Sequence, residues 1–430
     1  MKRKDIKRGT ILVIVVSVVA FTAISLLVKR PQQTEEVAEA HTAHAWSDTL
    51  RNSMSALPQL AGMDADIERF MGKWSIKGMS LAVVRHDSLL YAKGYGWADE
   101  ESRQPMEANS IMRMASASKL VTAVAVMKLV ERGHLTLDTK VFGPDGVLSD
   151  TSYTAAMRNP RLAEVTVDNL LQHRGGFSNR GGDPMFNTVE IMKAKGLDHA
   201  PSSEELIRIV LSRGLGGEPG RTRRYSNFGY MLLSKVIEKV SGMSYWDFVQ
   251  KEVLQPAGAC NFRPATNYYA QRHPGEVRYY PTDDELKPEY TGSGRMVSAV
   301  YGASDYTGLL GAGGWVASAA DLARLVSAID GDPGVKDILS EGSIRALTEY
   351  DEKENVSRGW ARIDKDGKWV RTGTLNSTRA LVEYTSDGQC WVMITNSGVW
   401  NGDTFARSFA AFMERLRARY AADMPVRDLW

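Results

Sequence analysis

Ser116-Ala117-Ser118-Lys119 is the stretch that decides the fold of this 430-residue chain, and it opens a strongly apolar helical pattern from Lys119 to Arg132. A serine and a lysine three positions apart on a helix share one face, so the amine stands beside the hydroxyl. A lysine that is partly desolvated in a cleft can have its pKa lowered enough to take the serine proton, and the helix N-terminus adds N–H groups for an oxyanion. Alone, Ser-x-x-Lys is a weak pattern that also fits a solvated helix start, since a chain of this length contains about one by chance.

Two further short motifs follow along the chain, and each can contribute to the same chemistry. Tyr225-Ser226-Asn227 comes after the glycine-rich loop Gly214 to Gly220 and begins an apolar helix. At such a junction Tyr225 can supply a phenolate as a base, and Asn227 can orient both an amide substrate and the lysine. Arg371-Thr372-Gly373-Thr374 ends a predicted strand, where the cation can anchor a carboxylate and the glycine lets a substrate backbone approach. Alone, each motif also fits a helix cap or a surface turn, but their order and spacing together favour a catalytic cleft.

The predicted elements are those of an α+β domain. Strands are predicted at Met79 to Arg85, Leu89 to Gly94, Gly359 to Ile363, Lys368 to Arg371, Arg379 to Thr385 and Gln389 to Thr395. Helices are predicted at Met63 to Lys73, Lys119 to Arg132, Ser203 to Ser212, Tyr230 to Val240, Ala319 to Ile329 and Thr404 to Ala421. We therefore expect an antiparallel sheet built from the N- and C-terminal segments, flanked by helices, with a mostly helical inserted region and a cleft between the two.

With these motifs in order, the sequence resembles the β-lactamase-related serine hydrolases, a family that includes the class C β-lactamases, DD-peptidases and related esterases. The resemblance covers roughly Met63 to Ala410 and implies a β-lactamase/transpeptidase-like fold. Besides the three motifs, it rests on the stretches Met79 to Trp97, Arg113 to Val141, Asp168 to Gly176, Tyr225 to Tyr230 and Gly313 to Ser318.

The resemblance also implies a two-step acyl transfer with a role for each motif. Ser116 is expected to attack a carbonyl while Lys119 and Tyr225 carry the proton, and the same two bases are expected to activate water for deacylation. The N–H groups of Ser116 and Thr374 are expected to form an oxyanion hole, and Asn227 is expected to hold the acyl amide. The chemistry calls for neither a metal nor an organic cofactor.

Arg371 departs from the family pattern, in which Lys or His usually precedes the Thr-Gly pair. Arginine binds a carboxylate rigidly but cannot exchange a proton at neutral pH. Asn376-Ser377-Thr378 likewise replaces a turn that contains Pro-Gly in relatives. We therefore expect a serine hydrolase of peptides or esters, with D-amino-acid-containing cell-wall fragments among its substrates. A true β-lactamase, and a non-catalytic module that binds peptidoglycan or a partner protein, are the alternatives.

The N-terminal residues differ in composition from the rest of the chain. Ile11 to Val28 is an uncharged apolar run of about 18 residues, just long enough to span a bilayer, and the basic residues are concentrated before it. We predict a basic cytoplasmic tail at 1–10, a transmembrane anchor at 11–28, a linker at 29–60 and a catalytic domain at 61–425 on the periplasmic or extracellular side of the cell membrane. A cleaved signal peptide is the competing interpretation, but no small-x-small site closes the apolar run.

Overall composition excludes some classes of function. The 53 basic and 51 acidic residues nearly balance, so no charged field is available to recruit nucleic acid. The seven histidines form no pattern of metal-ligand spacing. Cys260 and Cys390 are too far apart in sequence to predict a disulfide, and we expect two buried thiols. Oligomeric state is not encoded in any recognisable pattern.

Overall fold

Apolar, β-branched runs from both ends of the chain pair into one seven-stranded sheet in the computed structural model, which describes residues 46–430 apart from 284, 352, 354, 355, 357, 400 and 401. The strands are β1 (Gly78–Arg85), β2 (Ser88–Asp99), β3 (Gln104–Pro105), β4 (Met112–Arg113), β5 (Arg263–Pro264), β6 (Leu286–Pro288), β7 (Met296–Ser298), β8 (Trp315–Ala317), β9 (Arg362–Ile363), β10 (Trp369–Leu375), β11 (Thr378–Thr385) and β12 (Gln389–Thr395). The order in the large sheet is β3-β2-β1-β12-β11-β10-β9, and its neighbours are antiparallel. The predicted fold class is therefore confirmed.

Helices cover both faces of this sheet, and most of them lie in the sequence between its N-terminal and its C-terminal strands. They are α1 (Trp46–Thr49), α2 (Ala61–Trp74), α3 (Ser118–Glu131), α4 (Thr151–Ala156), α5 (Val167–Leu171), α6 (Thr188–Lys195), α7 (Ser203–Leu211), α8 (Asn227–Ser241), α9 (Tyr245–Val249), α10 (Gln255–Ala257), α11 (Ala319–Ser327), α12 (Glu341–Leu347) and α13 (Gly402–Tyr420). A π-helical turn, Gln250–Leu254, joins α9 to α10. Short 3-10 turns lie at Asn52–Ser55, Pro58–Leu60, Ala115–Ala117, Pro160–Glu164, Tyr269–Gln271 and Ala421–Asp423.

The central strands are buried on both faces, which explains why they are nearly continuous apolar runs in the sequence. Along β1, Met79, Leu81 and Val83 pack into a cluster with α2 and α13, whereas Ala82 and Val84 face the larger core that contains α3, α8 and α11. β1 lies beside β12, with Met79 opposite Thr395. The first and last long segments of the domain therefore meet at the middle of the sheet.

α3 is the central helix of the larger core. Eleven of its fourteen residues are buried, so it lacks the polar face of a surface helix. A helix that is apolar on all sides has to be surrounded by other elements, and α3 contacts α8, α9 and α12. This places its N-terminus, and the Ser116 turn that precedes it, between the sheet and the helical region.

The predicted helices and strands are found with shifted ends, except that the strand predicted at Gly359 to Ile363 is reduced to the two residues of β9. α8 begins at Asn227, three residues before the predicted start, because Ser226 caps it by accepting a hydrogen bond from the Gly229 N–H (3.0 Å). β10 continues through the Thr-Gly-Thr run to Leu375, whereas the predicted strand ended at Arg371. Pairing with β11, in which Gly373 lies opposite Ala380, carries the strand past its glycine.

The folded body is larger than the predicted 61–425. Leu50 and Leu60 are completely buried, and the ring of Trp46 packs edge-on against that of Trp430, with 4.6 Å between centroids. Part of the predicted linker therefore belongs to the domain. Its short 3-10 turns bury isolated side chains and leave no periodic pattern that the sequence could reveal.

Two further predictions concern the N-terminus and the cysteines. The predicted cytoplasmic tail at 1–10 and transmembrane anchor at 11–28 lie outside the described residues, as does the linker up to residue 45. None of the helices that are described is long and apolar enough to cross a membrane. Cys390 is buried in β12 and Cys260 is exposed; both are free thiols, so the expectation of two buried thiols is wrong for Cys260. Cys260 lies in the turn after α10, between the buried residues Ala259 and Phe262.

Candidate active site

Ser116 lies in the 3-10 turn that leads into α3. The turn begins with Ala115 in the left-handed region, at φ 50°, a conformation that is strained for a residue with a side chain. Hydrogen bonds from the Met114 N–H to the Trp315 carbonyl (3.0 Å) and from the Ala117 N–H to the Met114 carbonyl (3.1 Å) hold it in place. The result is a serine side chain that faces a cavity of about 360 Å³ from a fixed turn.

Lys119, one turn further along, is completely buried. Its Nζ donates to Asn227 Oδ1 (2.7 Å), to the Ala312 carbonyl (2.5 Å) and to Ser116 Oγ (3.3 Å). Burial lowers the pKa of Lys119 to about 8; the positive charge of Arg371 acts in the same direction, and Tyr225 acts in the opposite one. A substantial fraction of a lysine with such a pKa is neutral near pH 8 and can accept a proton.

Tyr225 approaches Ser116 from the loop just before α8, with 2.6 Å between its Oη and Ser116 Oγ. The residue is 44% exposed, because the outer edge of its ring borders the cavity, while Lys119 Nζ lies 4.8 Å from the ring centroid. Burial of the hydroxyl raises its pKa, but the charges of Lys119 and Arg371 and the hydrogen bonds from Lys119 and Ser116 outweigh that effect and lower the pKa to about 8. Because Tyr225 and Lys119 lie so close together, the two groups titrate as a coupled pair.

Asn227 links the lysine to a residue that the sequence motifs did not include. Its Oδ1 accepts the hydrogen bond from Lys119, and its Nδ2 donates to Asp183 Oδ2 (2.8 Å). Asp183 therefore fixes which way the Asn227 amide points. It lies in the loop from Arg180 to Phe186, and no local pattern distinguishes it from other loop aspartates.

His173 is the second residue near the site that had no predicted role. Its ring is buried against that of Tyr225, with 4.4 Å between centroids, and its Nδ1 accepts a hydrogen bond from the Ser226 N–H (3.2 Å). Burial, followed by the charges of Lys119 and Arg371, lowers the pKa of His173 well below its ordinary value. The imidazole is therefore neutral and supports the Tyr225 ring from behind. It falls within the family-like stretch Asp168 to Gly176, which was the only signal in the sequence.

β10 runs along the Ser116 turn at a distance that only glycine permits. A Cβ atom on Gly373 would lie 2.3 Å from the Met114 carbonyl oxygen and 3.1 Å from the Ala117 nitrogen. The two residues that flank it, Thr372 and Thr374, line the cavity. The predicted oxyanion-hole residues thus lie on neighbouring segments that are in direct contact.

Arg371 donates two hydrogen bonds to the backbone that the sequence did not predict. Its side chain is only 2% exposed; Nε donates to the Ser116 carbonyl (2.7 Å) and Nη1 to the Gly359 carbonyl (2.9 Å). These bonds tie β10 to the backbone of the Ser116 turn. Arg371 also lines the cavity, and its role as a carboxylate anchor stays a prediction.

The cavity itself is strongly cationic. Arg223 and Arg371 line it, and Lys119 lies directly beneath Ser116. Within the described part of the chain, no group of three or more His, Cys, Asp or Glu side chains could hold a metal ion. The arrangement brings together a hydroxyl, two groups with pKa values near 8 and backbone N–H donors, which are the requirements for nucleophilic acyl transfer.

Comparison with known sequences agrees with this geometry. The beta-lactamase family model matches residues 63–411. Esterase EstB of Burkholderia gladioli is 29% identical over 299 residues, which cover 66% of this chain and 73% of the esterase. Penicillin-binding protein 4* of Bacillus subtilis (strain 168) is 32% identical over 188 residues, which cover 43% of this chain but only 37% of that protein.

Solved structures share the fold at low sequence identity. The D-amino acid amidase from Ochrobactrum anthropi SV3 complexed with L-phenylalanine has a TM-score of 0.64 at 19% identity, covering 86% of this chain and 100% of that chain. The octameric penicillin-binding protein homologue from Pyrococcus abyssi has a TM-score of 0.61 at 24% identity, covering 83% of this chain and 77% of that chain. Because the family model spans nearly all of the domain that contains the sheet and the Ser116 turn, the chain belongs to the beta-lactamase family and is a serine hydrolase of that fold.

Proposed function

We propose that this protein is a membrane-anchored, exported serine hydrolase that forms an acyl-enzyme at Ser116 with a peptide or ester substrate. The observation that carries the proposal is the position of the Ser116 hydroxyl, 2.6 Å from Tyr225 Oη and 3.3 Å from Lys119 Nζ. Both of these groups have pKa values lowered to about 8, so a proton acceptor is available near neutral pH.

In the acylation step, Tyr225 in its phenolate form takes the Ser116 proton as Oγ attacks the substrate carbonyl carbon. Lys119 remains beside both oxygens and stabilises the charge that develops. The N–H groups of Ser116 and Thr374 receive the oxyanion, and the proton then passes to the leaving amine or alcohol. In the second step the same bases take a proton from water, which attacks the acyl carbon; as the bond from that carbon to Ser116 Oγ breaks, the proton passes to Oγ and the acid product leaves.

We propose that the substrate is a small ester or amide, including amides in cell-wall fragments that contain D-amino acids. The names of the relatives support this range, since they comprise an esterase, penicillin-binding proteins and a D-amino acid amidase. The cavity supports it as well, because about 360 Å³ is at the small end of the range of ligand pockets. Its surplus of positive charge, from Lys119, Arg223 and Arg371, favours a substrate with a carboxylate.

The proposed location rests on the sequence of residues 1–30. An apolar run with basic residues concentrated before it favours an uncleaved anchor whose C-terminal side is translocated. Protease treatment of spheroplasts tests this placement: the domain is expected to be digested from outside while the intact chain sediments with membranes. Protection of the domain until the cells are lysed would contradict it.

Labelling with a fluorescent fluorophosphonate tests the nucleophile directly. The native protein is expected to be labelled, and Ser116→Ala is expected to lose labelling together with about 10⁴-fold or more of its turnover. Ser118→Ala is the matched control, because Ser118 is buried in the same motif and its Oγ accepts a hydrogen bond from the Trp315 N–H (3.2 Å), outside the catalytic group. Equal labelling of the native protein and Ser116→Ala would remove Ser116 from the mechanism.

The same preparations separate the two alternative functions. Hydrolysis of nitrocefin, with an acyl-enzyme detected by mass spectrometry, would identify a true β-lactamase. Binding of a muropeptide that persists in Ser116→Ala, without turnover of any ester or peptide by the native protein, would identify a non-catalytic module.

A further inference from the structure

A second cavity, of about 880 Å³, lies beside the active site. The helices α6 and α7 and the segment that follows α7 form its walls, together with the loop from Ser178 to Asn187. The same loop contributes Phe186 to the active-site cavity, so it separates the two spaces. None of the motifs used above accounts for this second cavity.

The charges that line this cavity are unbalanced. Four cationic side chains reach it, from Arg158, Arg180, Lys195 and Arg213, and the acidic residue among the lining side chains is Glu190. Glu190 already forms an ion pair with Lys193 (3.0 Å). Throughout the part of the chain that the structure describes, the side chains of the four cations form no hydrogen bond or ion pair.

Arg213 makes this surplus of charge energetically significant. It is partly buried, and this burial lowers the pKa of its guanidinium group. Arginine cannot escape the cost of burial by losing its proton, because its pKa remains far above neutral. A partly buried charge without a partner is unfavourable, and the cost is removed when an anion binds beside it.

Part of the remaining wall of the cavity is apolar. The side chains that line this part are those of Ile191, Ile209 and Leu215. A ligand that contacts both kinds of wall needs an anionic group and a hydrocarbon portion. We propose that this cavity is a binding site for an amphiphilic anion, with a carboxylate or phosphate head among the four cations and an apolar chain against Ile191, Ile209 and Leu215.

The site is joined to the catalytic residues through the shared loop. Ser178 and Arg180 line the second cavity, while Asn179 Nδ2, between them, donates to the Tyr225 carbonyl (3.3 Å). Further along the same loop, Asp183 accepts the hydrogen bond from Asn227. A bound anion therefore contacts the segment that positions two active-site residues, although its binding does not require acylation of Ser116.

Calorimetric titration of the full chain in neutral phosphatidylcholine nanodiscs, with empty nanodiscs as the blank, tests the proposal. The probes are hexyl phosphate, hexanoate, neutral hexyl glucoside and inorganic phosphate. At least one of the two amphiphilic anions is expected to bind one-to-one, about tenfold or more tightly than hexyl glucoside and inorganic phosphate, and the better one identifies the head group. Raising the salt concentration is expected to weaken the binding of that anion. Equal affinity for hexyl glucoside, or no saturable binding of either anion, would overturn the proposal.

Variants locate the binding and separate it from the active site. Arg213→Gln is expected to weaken binding of the preferred anion about tenfold, whereas Arg208→Gln, in α7 just before the cavity-lining segment and outside the cavity lining, is expected to leave it within twofold. Without ligand, Arg213→Gln is expected to unfold at the same or a higher temperature, because it removes an unpaired charge. Unchanged affinity in Arg213→Gln would place the anion elsewhere. Ser116→Ala is expected to bind normally, so this test does not depend on catalysis.

Discussion

Replacing Tyr225 with phenylalanine is the sharpest test of how Ser116 is activated. The change removes the hydroxyl that lies 2.6 Å from Ser116 Oγ and leaves the ring that packs on His173. Lys119 stays in place, because its hydrogen bonds to Asn227 and to the Ala312 carbonyl do not involve the phenol. The variant therefore tests the Tyr225 hydroxyl as a base without dismantling the site.

The expected loss follows from the lowered pKa. With a pKa of about 8, roughly one Tyr225 in ten is a phenolate at pH 7, compared with about one in a thousand for an ordinary tyrosine with a pKa near 10. General-base catalysis typically contributes about 10²–10⁴-fold, so kcat/KM of Tyr225→Phe at pH 7 is expected to fall by that factor. A base acts only when it is deprotonated, so native kcat/KM is expected to decline as the pH falls below about 8. The midpoint reports the coupled titration of Tyr225 and Lys119.

The assay is hydrolysis of a chromogenic ester from pH 5.5 to 9.5. Tyr153→Phe is the matched control, since this phenol packs near Phe142 in the core, where its ring remains after the change. The control is expected to keep the native rate and profile. If Tyr225→Phe kept kcat/KM within fivefold of the native value and the same pH midpoint, Tyr225 could not be the proton acceptor, and Lys119 alone would have to serve.

Two further predictions concern the supports of the site. Gly373→Ala would bring a Cβ within 2.3 Å of the Met114 carbonyl oxygen. The variant is therefore expected to lose about 1–3 kcal/mol of its free energy of unfolding in thermal denaturation and to turn over much more slowly in the ester assay. Unchanged stability would contradict the close approach. Asp183→Ala leaves the Asn227 amide without the acceptor that orients it toward Lys119. The kcat in the ester assay is therefore expected to fall about tenfold or more, while the melting temperature changes little. A variant with native kcat would show that Asn227 keeps its orientation without Asp183.

Sequence patterns predicted most of the strands and helices, because turns and helical periodicity depend on residues that are close together in the sequence. The β1–β2 hairpin turns at His86 and Asp87, which both adopt left-handed backbone angles, and polar turn residues between two apolar runs indicate such a turn in the sequence. Helix ends were less accurate, because a cap such as Ser226 adds residues before the apolar pattern begins. The segment 46–60 was missed because it buries single side chains without a repeating pattern.

In the candidate site, too, a contact between residues close in sequence was predicted, whereas several contacts between distant residues were not. Ser116 and Lys119 lie one turn apart, so their approach follows from helix geometry alone. By contrast, Asp183 reaches Asn227 from a loop 44 positions away, and no spacing rule connects the two. The partners of Arg371 were also hidden, since its guanidinium group bonds to backbone carbonyls that any residue type could supply.

The pairing of β1 with β12 has a consequence for how the chain reaches its native state. The Lys77 N–H donates to Ser397 Oγ, 320 positions away. In the sequence, the whole helical region separates β1 from β12, although the two strands are neighbours in the sheet. Closing so long a loop costs entropy before any contact between these strands is gained, and proteins dominated by such contacts fold slowly. Until β12 has been synthesised, the edge of β1 that pairs with it therefore lacks its native neighbour and exposes unpaired backbone groups, so early truncation products are expected to aggregate.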